Sequence, residues 1–147
     1  MNTFTTHTAS FYEVTVKHTE ADEDGIDTVI KTILAVGAIN FSEAETKALR
    51  QVDAPDAEAV RITPAPYMQV YCCDTDITHE VGFHRAVVVY TAIDEVTGRK
   101  HRYRIQYLIQ ADDMQQAFTR LRDMIKDSVI DHSAVSVSKS PVSYIIP

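Results

Sequence analysis

The chain states one pattern twice, and that repetition narrows its possible folds more than any residue propensity does. A Phe-led strand beginning at Phe11 reappears at Phe83. Each is followed by a glycine turn, a second strand, a capped helix and a closing strand that runs into a Pro-plus-apolar segment. With an offset of 73, Val14 and Val16 fall on Val87 and Val89, and Gly25 falls on Gly98. Glycine supplies the positive φ of a tight hairpin, so Glu23-Asp24-Gly25 and Val96-Thr97-Gly98 read as joints between antiparallel strands. Ile30, Leu34 and Val36 then match Tyr103, Tyr107 and Ile109 at alternate positions, which is one face of a strand.

Each second strand runs to an alanine, Ala38 or Ala111. Asn40 with Glu43, and Asp113 with Gln116, then read as capping boxes that open helices. Phe41, Ala44, Ala48 and Val52 match Met114, Ala117, Leu121 and Ile125, a single apolar stripe per helix and the mark of a helix lying on a sheet. Beyond the helix the offset grows to 75: Val60 and Ile62 match Val135 and Val137, and Pro66 matches Pro141. A proline there lacks a ladder donor and suits an edge, a bulge or a strand boundary.

These matches predict an α+β fold by internal duplication of a β-β-α-β unit, with antiparallel sheets and one helix per repeat. The expected organisation is an N-terminal arm over 1–10, a first repeat over 11–71, a connector over 72–82 and a second repeat over 83–147. Half a chain of 147 residues buries too little apolar surface alone. The repeats are therefore expected to pack as one domain about a pseudo-two-fold axis. Val29, Ile33 and Ala35, and in the second copy Ala86, Val88 and Tyr90, are assigned to the face away from the helix. Strands apolar on both sides sit between layers or at a subunit contact, so burial between the halves is expected first and a homo-oligomer surface second.

Function is far less legible. The net charge is −7, from 21 acidic and 14 basic residues, which opposes general binding to phosphate backbones. Four glycines leave no G-x-G-x-x-G or phosphate loop. The N-terminal arm lacks the pattern of a signal peptide, and no apolar run approaches the ~20 residues that cross a bilayer. A cytoplasmic protein without a membrane partner is expected. Its six histidines are scattered, with no i, i+4 pair for a metal and no neighbouring nucleophile. No catalytic residue, cofactor or metal is assigned.

Two clusters merit weighing. Cys72-Cys73-Asp74-Thr75-Asp76 with His79 holds soft and hard metal donors. Adjacent cysteines cannot easily address one tetrahedral ion, so a polar connector is the simpler reading and a metal-dependent enzyme at 72–79 the alternative. Arg99-Lys100-His101-Arg102-Tyr103-Arg104 is the one basic run. Lys100, Arg102 and Arg104 share a strand face opposite Tyr103, Ile105 and Tyr107. They are the candidate nucleic-acid-binding residues, since cations that track phosphates beside rings that stack on bases hold single strands. Tyrosines facing the core would remove that stacking platform, and a solvated strand face is the simpler reading.

Phe11-Tyr12-Glu13-Val14-Thr15-Val16, Phe41-Ser42-Glu43-Ala44-Glu45 and Ser140-Pro141-Val142-Ser143-Tyr144-Ile145-Ile146-Pro147 together resemble a family of uncharacterised proteins of Bacteroides-type bacteria and their phages. The resemblance covers almost the whole chain through structural motifs. The chain departs from it where Gly37 and Ala38 extend the first strand motif and in its longer N-terminal arm. The family brings no active-site residues; it implies a phage or mobile-element accessory protein. The leading expectation is a non-enzymatic binding protein, homo-oligomeric, that acts through a sheet surface or a groove between repeats on a protein or small-molecule partner. A single-stranded nucleic-acid binder is the alternative.

Overall fold

The computed structural model describes residues 4–7, 10–73, 82–128 and 131–147. Its elements are β1 (Phe4–His7), β2 (Phe11–Ala21), β3 (Asp27–Gly37), α1 (Phe41–Val52), β4 (Glu58–Pro64), β5 (Tyr67–Cys73), β6 (Phe83–Ile93), β7 (Lys100–Gln110), α2 (Met114–Ile125), β8 (Asp131–Lys139) and β9 (Tyr144–Ile146). They form two compact units, each a sheet carrying one helix. The fold is α+β with mostly antiparallel strands.

In the unit built from 10–66 and 141–147, the sheet order is β4-β2-β3-β9. Gly25, at φ 77°, closes the β2–β3 hairpin, and Asp22 accepts the amides of Asp24 and Ile26 across the turn. Asn40 caps α1 by accepting the Glu43 amide at 2.8 Å. Ala44 and Ala48 bring the helix down onto Val14, Val16, Leu34 and Val36, all fully buried. Alanine at both contact points lets the helix backbone approach the sheet closely, so the apolar area buried here comes chiefly from the strands. Val60 does not join this core. It is the extra residue of a bulge in β4 between the partners of Thr15 and Val16, and it is 45 % exposed.

The unit built from 4–7, 67–73 and 82–140 has sheet order β1-β5-β7-β6-β8. Gly98, at φ 71°, closes the β6–β7 hairpin, and Asp113 caps α2 by accepting the Gln116 amide at 2.8 Å. Gln116 reaches back to the amide of Asp112 at 2.7 Å, completing a reciprocal cap one residue further out. Ala117, Leu121 and Ile125 pack on Ala86, Val88, Tyr90, Tyr107 and Ile109. Fully burying Leu121 contributes about 2 kcal/mol by area.

Here the phase of the second copy corrects the sequence reading. Ala86, Val88 and Tyr90 face the helix, not away from it. The offset of 73 holds for the second strand and the helix, but the first strands align at 72, Phe11 on Phe83 and Val16 on Val88. The extra residue lies in the turn, so Val87 and Val89 fall on the opposite face. Because side chains alternate, a slip of one residue reverses every assignment in the strand.

Three strands lay outside the predicted β-β-α-β pattern. β1 forms within the expected arm and pairs with β5, Phe4 opposite Cys73. β5 leaves β4 through Ala65 and Pro66, both prolines at positions 66 and 141 marking strand boundaries. It then pairs in parallel with β7, Val70 opposite Leu108. β9 follows β8 and pairs in parallel with β3, Leu34 opposite Tyr144. Each unit thus takes its parallel strand from the segment that follows the other unit's return strand. The units also repeat their local bonds. Ala38 N donates to Ser10 O and Ala111 N to Gly82 O; Ala65 N donates to Phe11 O and Ser140 N to Phe83 O. Lys47 on α1 donates to Gly37 O, and Arg120 on α2 to Gln110 O, so a helix cation caps the end of the second strand in both.

Candidate functional site

Lys100, Arg102 and Arg104 occupy alternate positions of β7 and are exposed. Their cross-strand neighbours on β6 are Ile93, Thr91 and Val89, and the helix-facing set of β7 is Tyr103, Ile105, Tyr107 and Ile109. The three cations therefore line the sheet face away from α2, as the alternation predicted. None forms an ion pair with another described residue. Their side chains repeat about every 6.8 Å along the strand, a row of unneutralised charge. β5 covers β7 only from Gln106 onward, so Lys100 to Ile105 is also a free sheet edge among the described residues.

The tyrosines divide. Tyr107 is buried and exchanges a 2.9 Å hydroxyl hydrogen bond with Tyr90, also buried. Burial, then that bond, pushes the Tyr107 phenol well above its ordinary range. Tyr103 is 37 % exposed and stacks on Tyr90 at 5.6 Å between ring centroids, with His132 edge-on to Tyr90 at 6.4 Å. These rings stand on the opposite face of the strand from the cations. Cations and rings share the hairpin end without sharing a surface.

Removing one hydroxyl tests the buried pair. Tyr107→Phe is expected to cost about 1–3 kcal/mol in denaturant unfolding because it strands the Tyr90 hydroxyl. Tyr90→Phe with Tyr107→Phe together is expected to cost less than the two single changes added.

His84, one of the scattered histidines to which the sequence assigned no role, is a buried group near the start of β6. It is 3 % exposed on the helix side of β6, and its Nδ1 has no hydrogen-bond partner among the described residues. Burial holds its pKa below the usual imidazole value, and the Lys139 ammonium across the strand pair adds to this, while Asp113 at the α2 cap opposes it. The folded state thus favours neutral His84. Its contribution to stability is complete above the unfolded value of ~6.5 and is lost as pH falls toward the lower folded value. Stability measured by urea from pH 7.5 to 5 is expected to fall with pH, with a shallower fall in His84→Gln.

A cleft of about 430 Å³ lies at the start of α1, lined by Ser10, Gly37, Ala38, Ile39, Glu43, Lys47 and Pro147. Its cation is engaged: Lys47 Nζ sits 2.7 Å from Gly37 O and 3.1 Å from Glu43 Oε1. The 72–79 metal hypothesis falls largely outside the described residues. Of its donors, Cys72 lies in β5 with a buried side chain.

No helix among the described residues is long and apolar enough to cross a membrane. No curated protein and no solved structure matches the chain. A family model described as "Domain of unknown function (DUF4494)" matches residues 10–147, taking in both hairpins, both helices and the closing strand. The chain belongs to that family.

Proposed function

We propose that this protein is a non-enzymatic binding module that engages an extended anionic partner through the face and free edge of β7 bearing Lys100, Arg102 and Arg104. One observation carries the reading: three exposed cations in a row, none paired with a described acid, on a chain whose overall charge is −7. Uncompensated like charges cost stability, so keeping them together points to a partner that neutralises them. An edge strand binds an extended chain through main-chain hydrogen bonds, with alternate side chains setting specificity. An acidic protein segment suits both features.

A second reading, single-stranded nucleic acid, is favoured by the exposed Tyr103 ring on the same strand. It is the weaker because that ring faces away from the cations. The setting proposed for either is the cytoplasm of a bacterial host, as an accessory protein of a phage or mobile element. The matched lengths of hairpins and helices, and the repeated local bonds, support descent of the two units from one duplicated β-β-α-β ancestor.

Fluorescence anisotropy with a labelled oligo-glutamate peptide and a labelled oligothymidylate separates the readings. The peptide is expected to bind with an affinity that falls as salt rises. Lys100→Gln/Arg102→Gln/Arg104→Gln is expected to weaken it at least tenfold. Preference for the oligonucleotide, with a salt slope reduced by roughly 2 in the triple variant, selects the second reading. Equal binding by native and triple-variant protein rejects both.

A further inference from the structure

The outer edge of β3 is built differently from that of β7. β9 covers β3 only from Leu34 to Val36. Ser143 N donates to Ile33 O at 2.8 Å, on the side of β3 away from β2. Main-chain groups of alternate residues in a strand point to the same side, so Asp27, Val29 and Lys31 also direct their N–H and C=O groups outward. Among the described residues no strand pairs with them there. Val29 is 55 % exposed, and Asp27 and Lys31 are exposed. Lys31 also stands directly opposite Lys17 within the sheet; Glu58 of β4 lies opposite Lys17 on its other side, whereas Lys31 has no acid opposite it among the described residues.

We propose that two copies of this chain associate through this edge, by antiparallel pairing of Asp27–Lys31 about a two-fold axis at Val29. The segment is self-complementary in that arrangement. Asp27 meets Lys31 of the partner subunit, Lys31 meets Asp27 of the partner subunit, and the two Val29 side chains meet at the centre. Each of the three pairs aligns outward main-chain groups and exchanges two hydrogen bonds. The partner's Asp27 also relieves the Lys17–Lys31 repulsion.

The alternatives are poorer. In β7, Ala111 N donates to Gly82 O toward β6, so the even-numbered residues Lys100, Arg102 and Arg104 point their main-chain groups outward. Self-pairing there about Arg102 would set cation against cation, which blocks it. An antiparallel β3–β7 pair sets Lys31 against Lys100. The proposal uses β3 and stands apart from the anionic-partner reading, which uses β7.

An edge this short gives less contact than a standard interface, so the dimer is weak, with Kd on the order of ten micromolar. Sedimentation equilibrium of the full chain from ~1 to ~500 μM tests it. A reversible monomer–dimer equilibrium is expected. Val29→Pro removes an outward donor while sparing the hairpin bonds of Thr28 and Ile30, and is expected to raise Kd at least tenfold. Asp27→Lys is expected to do the same, and Asp27→Lys/Lys31→Asp to restore the native value. Circular dichroism checks each fold; should Val29→Pro misfold, the charge series decides. A monomer throughout the range, a dimer undiminished by Asp27→Lys, or a double variant no tighter than the single one overturns the proposal.

Discussion

Val88→Asp is expected to abolish cooperative folding of the helix-bearing sheet around α2. Val88 is fully buried beneath that helix, among Ala86, Tyr90, Leu121 and Ile125. A carboxylate placed there has no cation within its layer, and an unpaired buried charge costs several kcal/mol after relaxation. Domains of this size retain only about 5–15 kcal/mol in total. Thr91→Gln, three residues on and on the other face, is expected to change stability by less than about 0.5 kcal/mol. Urea unfolding of the two variants reads the strand's phase directly: had Val88 faced solvent, their effects would be alike.

Leu121→Ala carries the next largest effect, a loss of about 2–5 kcal/mol at the urea midpoint without a change of fold. Leu121 is the largest fully buried side chain of α2, and it stands where α1 has only Ala48. The cavity it leaves is bounded by sheet residues that cannot follow, since β6 is paired on both sides by β7 and β8. Leu49→Ala on α1, a partly buried residue at the margin of its core, is expected to cost less than half as much.

The helices, caps, hairpin turns and second strands were legible because each has a local chemical signal. Asn40 and Asp113 cap where their spacing to Glu43 and Gln116 predicts, and Gly25 and Gly98 take the positive φ their turns require. The phase of β6 was not legible. Phe83 to Tyr90 is apolar at nearly every position past Arg85, so neither alternation pattern outscores the other, and the residue count of the turn decides. β5 and β9 were hidden for a different reason. Tyr67–Cys73 and Tyr144–Ile146 look like strands, but parallel pairing with β7 and β3 depends on where a distant segment lies, which no local pattern encodes.

The basic row was visible as alternation, and its free edge was not, because an edge is defined by which strand fails to cover it. His84 was missed for a related reason: the charges that act on it, Lys139 on the neighbouring strand and Asp113 at the helix cap, are remote in sequence. A buried histidine between Phe83 and Arg85 leaves no signature distinct from a surface one.

Amide hydrogen exchange by NMR tests most directly the claim that β3 and β7 each present an open outer edge. In dilute protein, Thr28, Ile30, Tyr103 and Ile105, bonded inward to β2 or β6, are expected to exchange slowly. Val29, Lys31, Arg102 and Arg104 between them are expected to exchange fast. Raising the concentration is expected to protect Val29 and Lys31 alone. Uniformly slow exchange along both strands in dilute protein would show the edges already covered and contradict the account.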